Sequence, residues 1–163
     1  MAGELTHADG EGRVRMVDVG GKEATLREAV ARVRVLLAPE TFRLLREGAL
    51  RKGDVLAVAE VAGIQAAKRT AELIPLCHPL PLTYAGVSVA LVEGDHAVEV
   101  EATCRTRAET GVEMEAMTAA AVAALTVYDM CKGVERGIRI TDLRLVRKSG
   151  GRSGLWEEGG DAR

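Results

Sequence analysis

Residues 110–133 read TGVEMEAMTAAAVAALTVYDMCKG, and the identity of the fold turns on what this stretch forms. The Thr110-to-Glu113 spacing matches a capping box and Gly133 breaks the apolar pattern, so the segment predicts a helix over 110–133. From Ala116 to Tyr128 it is apolar almost all round, interrupted only by Thr118 and Thr126. A helix lying on a sheet with its outer side in water shows a polar stripe. Its second face is therefore expected to be covered by another helix or by another chain.

Working outward, IRITDLRLVRK (138–148) follows as a strand, and YAGVSVALV and AVEVEATCRTR precede the helix as alternating strands joined through EGDH in a hairpin. Further upstream, REAVARVRVLL (27–37) alternates Ala29, Ala31, Val33, Val35 and Leu37 against Glu28, Arg32 and Arg34, which predicts a strand, with an amphipathic helix as the competing reading. PETFRLLREG (39–48) carries proline at its start and glycine at its end, the mark of a short helix. GDVLAVAEVAGIQAAKRTAELI (53–74) predicts one longer helix, capped by Asp54 and stopped by Pro75. The order β, α(α), β, β, α, β is the split βαβ arrangement of an α+β, ferredoxin-like fold, an antiparallel sheet with helices packed on one face. Such a fold selects no activity by itself. Residues 1–15 and 155–163 are polar or glycine-rich and are expected to be flexible, leaving 16–154 as a single domain.

Composition narrows the function. With 163 residues, 47% of them hydrophobic, the chain can bury a core without staples. Only four residues are aromatic and the net charge is −2 without a block of one sign, which argues against base stacking, a nucleic-acid footprint or an anionic membrane surface. Three cysteines, 77, 104 and 131, lack a C-x-x-C pair and read as reduced thiols of a cytoplasmic protein. There is no apolar leader-like region and no run long enough to span a bilayer. Only five of the 22 cations are lysine: Lys22, Lys52, Lys68, Lys132 and Lys148. Where arginine serves as the general cation, retained lysines point to positions that need a tunable ammonium, although coding bias produces the same skew.

Several of these residues sit where chemistry could occur. Glu113 and Glu115 fall in the first turn of the 110–133 helix, where carboxylates suit the dipole. Asp129 falls in the last turn, where the dipole disfavours an anion by roughly 0.3–1 kcal/mol, and Lys132 is placed to offset this at i,i+3. The pair reads either as a surface ion pair or as an acid and base tuning one another. Glu115 and Asp129 lie about 21 Å apart along the helix, so one small-molecule site using both ends needs two chains. An antiparallel crossing at the alanine-rich middle would supply that, giving an oligomer with interface sites. In ELIPLCHPLPLT (72–83) prolines stiffen the segment around Cys77 and His78. A zinc site there has little support, leaving a satisfied structural histidine or an imidazole aimed at a ligand. QAAKRT adds Lys68 and Arg69, RKGD adds Lys52, and KSGGRSG (148–154) combines Lys148 and Arg152 with glycines able to wrap a phosphate.

MVDVGGK (16–22), KGDVLAVAEVAGIQAAKRTAELIPLCHPLPL (52–82), TGVEMEAMTAAAVAALTVYDMCK (110–132) and KSGGRSG (148–154) together resemble the MoaC family, the cyclic pyranopterin monophosphate synthases of molybdenum cofactor biosynthesis. The resemblance implies a lyase acting on 3',8-cyclo-7,8-dihydroguanosine 5'-triphosphate, releasing diphosphate, in a homohexamer built as a trimer of dimers. It implies a catalytic group of Asp129, Lys132 and Lys52. Leu76, Cys77, His78, Met114 and Glu115 would contact substrate, with Glu113, Arg27, Lys68, Arg69 and Lys148 lining the site. No cofactor is required on this view, Mg²⁺ being at most a companion of the triphosphate, and no metal site is implied. Two rival expectations are a non-catalytic nucleotide-binding regulatory module and a structural assembly protein built on the alanine-rich helix.

Overall fold

The computed structural model of the chain describes residues 12–159. The flexible segments expected at 1–15 and 155–163 lie outside the described residues up to residue 11 and from residue 160. The elements are β1 (Thr25–Leu36), α1 (Pro39–Arg46), α2 (Val55–Ala67), α3 (Thr70–Leu73), β2 (Leu82–Val92), β3 (Ala97–Ala108), α4 (Glu113–Cys131), β4 (Arg139–Ser149) and β5 (Trp156–Glu157). The sheet runs β2-β3-β1-β4-β5 and every pairing is antiparallel, the ferredoxin-like order with a short fifth strand added at the edge.

The alternation in β1 is that of a half-buried strand. Ala29, Ala31, Val33 and Val35 are fully buried and pair with Cys104, Ala102, Val100 and Val98 of β3, so both strands present one apolar face to the helices. The opposite face carries several of the arginines. Arg32 pairs with Glu101 at 2.7 Å, and Glu28 takes Arg105 on one side and Arg147 on the other. Arg144 pairs with Glu158 at 2.9 Å. Ion pairs this open stabilise little individually, and their main effect is to keep the sheet's free face polar.

The second face of the alanine-rich helix is covered by α2. Ala59, Gly63, Ala66 and Ala67 of α2 and Ala116, Ala119, Ala120, Ala123 and Ala124 of α4 are all buried. A Cβ on Gly63 would stand 2.9 Å from the Ala119 carbonyl oxygen, so the two helix backbones meet as closely as glycine permits. This corrects the expectation of an antiparallel crossing between subunits at the alanine-rich middle, because those alanines are consumed inside the chain.

Three local expectations also change. Thr110 does not cap α4: the helix begins at Glu113 behind Val112, with no side-chain cap bond. The helix expected over 53–74 keeps its Asp54 cap, whose carboxylate accepts from Ala57 N at 3.1 Å, but breaks at Lys68 and Arg69 and resumes as α3. There the Thr70 hydroxyl donates back to the Ala67 carbonyl at 3.0 Å, satisfying an acceptor that the break would leave open. β5, formed by Trp156 and Glu157 against Lys148 and Arg147, lies in a segment read as tail.

Candidate active site

The two ends of α4 carry two separate clusters. At its C-terminal end Asp129 lies between two lysines. Lys132 Nζ reaches Asp129 Oδ1 at 2.6 Å, and Lys52 Nζ donates to Asp129 Oδ2 at 3.1 Å and to the Asp129 carbonyl oxygen at 2.7 Å. Lys132 comes from the i,i+3 position on the same helix, whereas Lys52 comes from the turn before α2, brought there by the antiparallel packing of α2 on α4. Both ammonium groups hold the Asp129 carboxyl below the usual aspartate range, Lys132 contributing more, and Asp129 in turn raises the Lys132 ammonium above its ordinary value. The sequence left a choice between a surface ion pair and a tuned pair. The geometry gives an exposed ion pair in which each group favours the charged form of the other.

At the N-terminal end of α4 a cavity of about 410 Å³ is lined by Leu76, Cys77, His78, Glu113, Met114 and Glu115. These are the six residues expected to contact or line the substrate at this end. The Pro75–Pro81 connection opens on a turn, with Cys77 N donating to the Ile74 carbonyl at 3.1 Å, and continues without helix or strand, its prolines fixing a course that places Cys77 and His78 in the cavity lining. Glu115 is 4% exposed and faces the same cavity. Burial raises its carboxyl above the ordinary glutamate value, and the neighbouring Glu113 adds to the effect. Burial and then the Glu115 charge push the Cys77 thiol up, which makes it a poor nucleophile.

Glu113 is free of capping duty and accepts from Lys148 Nζ at 3.0 Å, which ties β4 to the start of α4. Arg27 lies beside this point. Its Nη2 donates to the Glu109 carbonyl at 3.1 Å, its Nε is buried without a hydrogen-bond partner, and Gly151 packs on its guanidinium. Gly151 holds φ +70, a conformation that favours glycine, and the Arg27 guanidinium occupies the place a Cβ would take. Lys68 and Arg69 are exposed at the break between α2 and α3. Lys68 lines a neighbouring cavity that shares Leu80 with the first, so it stands near the main cavity without lining it.

Six residues outside the candidate set also line the main cavity: Leu80, Thr110 and Gly111, which adjoin residues already picked out, and, far from these in sequence, Val17, Val19 and Lys22. The signal for the last three was present in MVDVGGK and in the scarcity of lysine. All five lysines fall at one or other cluster or beside it, while Arg32, Arg105, Arg144 and Arg147 pattern the open sheet face. Within one chain the two clusters stay apart: with α4 continuous from Glu113 to Cys131, Glu115 and Asp129 are about 21 Å apart along its axis. Among the described residues no three His, Cys, Asp or Glu side chains are grouped to hold a metal ion. No helix among them is long and apolar enough to cross a membrane.

A family model, described as the MoaC family, matches residues 16–151 and so spans both clusters. A cyclic pyranopterin monophosphate synthase of Thermomicrobium roseum is 63% identical over 97% of the chain and 95% of its own length. Proteins of the same description from Chloroflexus aurantiacus and Bordetella avium are 60% and 56% identical, covering 94% and 93% of the chain and 94% of each relative.

Proposed function

The chain belongs to the MoaC family, and from that premise we propose that it is a cyclic pyranopterin monophosphate synthase. It is a lyase of molybdenum cofactor biosynthesis that converts (8S)-3',8-cyclo-7,8-dihydroguanosine 5'-triphosphate to cyclic pyranopterin monophosphate and releases diphosphate. The observation that carries the reading at the level of atoms is Asp129 held between Lys52 and Lys132. Opening a purine ring requires proton delivery to nitrogen, and closing a cyclic phosphate requires neutralising charge on departing diphosphate. Paired ammonium groups gathered on one carboxylate suit both tasks. The cavity at the other end of α4 offers Leu76, Cys77 and His78 on one wall and Met114 and Glu115 on the other, polar groups enough to orient a base. Lys148 and Arg27, beside the glycines at 150–151, supply positive charge and N–H groups for phosphates.

Because the clusters are about 21 Å apart along one helix, a working site takes its base-binding half from one protomer and its Lys52–Asp129–Lys132 half from another. We assign the protein to a homohexamer, a trimer of dimers with sites at the dimer interface. The helix layer supports an interface by leaving Val58, Val61 and Leu125 exposed. The reaction needs no resident cofactor; Mg²⁺ belongs to the triphosphate substrate. The small-molecule substrate and the reduced cysteines suit a cytoplasmic enzyme. Single-turnover conversion of the cyclised dihydro-GTP, with diphosphate release and the fluorescent oxidised pterin as readouts, tests the reading. Wild-type protein should turn over and Lys132→Ala should not. Binding without diphosphate release by the wild type would leave a nucleotide-binding module instead.

A further inference from the structure

The segment from Met16 to Glu23 contains neither helix nor strand, yet it forms one wall of the main cavity through Val17, Val19 and Lys22. Its course is set by few bonds. Gly20 N donates to Asp18 Oδ1 at 2.9 Å and Lys22 N to the Val19 carbonyl at 2.9 Å, which folds the segment on itself. Its side-chain tie to the cavity's opposite wall is the contact between His78 Nε2 and the Val17 carbonyl oxygen at 2.8 Å. A carbonyl oxygen can only accept, so Nε2 carries the proton in this contact whether the ring is neutral or charged. The ring makes no other hydrogen bond among the described residues, which leaves Nδ1 for a ligand.

We propose that residues 17–22 are a strap held across the cavity by the His78 Nε2–H, and that the strap delivers Lys22 to the site as a contact for an anionic group of the ligand. His78 is then a positioning residue for Lys22 as well as a ligand contact. Between the bridge at Val14 and the start of β1 at Thr25 the strap has no regular structure, so its order depends on the His78 bond more than the order of α4 or the sheet does. The ligand's identity in this proposal rests on the synthase reading; the strap itself does not.

The test uses two substitutions that divide the imidazole. A glutamine amide nitrogen reaches the place of Nε2, and an asparagine amide reaches only the place of Nδ1. Hydrogen exchange of the Gly20 and Lys22 amides, whose bonds fold the strap, should be preserved in His78→Gln and faster by roughly fivefold or more in His78→Asn, the loss of one net hydrogen bond. In equilibrium binding, Lys22→Met should raise the Kd for the triphosphate by about tenfold in the His78→Gln background. It should change little in the His78→Asn background, where the strap is already released. Equal exchange in the two histidine variants, or an equal effect of Lys22→Met in both backgrounds, would overturn the proposal. If exchange divides as stated but no variant and no wild type turns over, the strap stands and the synthase reading fails.

Discussion

Replacing Gly63 by alanine sets two opposed effects against each other on one atom. Alanine in a helix interior is favoured over glycine by about 1 kcal/mol, so propensity alone stabilises Gly63→Ala by that amount. The new Cβ would lie 2.9 Å from the Ala119 carbonyl oxygen, 2.9 Å from Val87 Cγ2 and 3.3 Å from Ala123 Cβ, where ordinary contact begins at 3.4 Å. Val87 can turn about χ1, but Ala119 O is main chain of α4 and moves only if the helices separate by about 0.5 Å. Overpacking of this kind costs about 1–3 kcal/mol, so the net effect is a loss of about 1 kcal/mol. For a chain of this length that lowers the melting temperature by about 2–4 °C. Thermal unfolding at matched protein concentration reads it, concentration being fixed because assembly shifts the midpoint. The same separation moves Lys52 from Asp129, so diphosphate release should fall by more than the folded fraction does. A melting temperature raised by the full propensity gain would refute the claim that glycine sets the α2–α4 distance.

Two further outcomes follow from burial. The Cys104 and Cys131 thiols are pushed up to about 12 and about 11 by burial; in native protein at pH 8, iodoacetamide should label Cys77 alone, as peptide mass spectrometry would show, and comparable labelling of Cys104 would contradict the packing. Glu115 has a folded carboxyl raised above its unfolded value, so its ionisation costs stability as pH rises from the ordinary glutamate range through the folded value. Glu115→Gln should therefore raise the melting temperature at pH 8 relative to wild type and lose that advantage near pH 4, whereas a variant less stable at pH 8 would mean that the carboxylate has a compensating partner.

The parts of the fold that rest on local period were legible. Alternation in β1 and β3, the hairpin between β2 and β3, and the run ending at Gly133 each give element and face within a few residues. What escaped was decided by partners far along the chain. Thr110 and Glu113 have capping-box spacing, but Glu113 is engaged by Lys148, 35 residues on. The break after Lys68 depends on the Thr70 hydroxyl bonding backwards, which a helical pattern through Thr70 conceals. The alanine-rich face of α4 suggested a second copy because nothing local marks Gly63 as its cover. At the site, His78 and Glu115 could be picked out by type and position, and Asp129 with Lys132 by their i,i+3 spacing. The union of Asp129 with Lys52 spans 77 residues, and the contact of His78 with Val17 spans 61.

The most direct test mixes two inactive variants. His78→Ala disables the cavity end of the site and Lys132→Ala the other, and neither should release diphosphate alone. After subunit exchange, a mixed dimer carries one site with both lesions and one with neither. Random pairing should then restore up to about one quarter of the wild-type rate, the share of intact sites in a two-fold symmetric dimer. No recovery, with exchange of subunits verified by mass, would contradict a site shared between protomers.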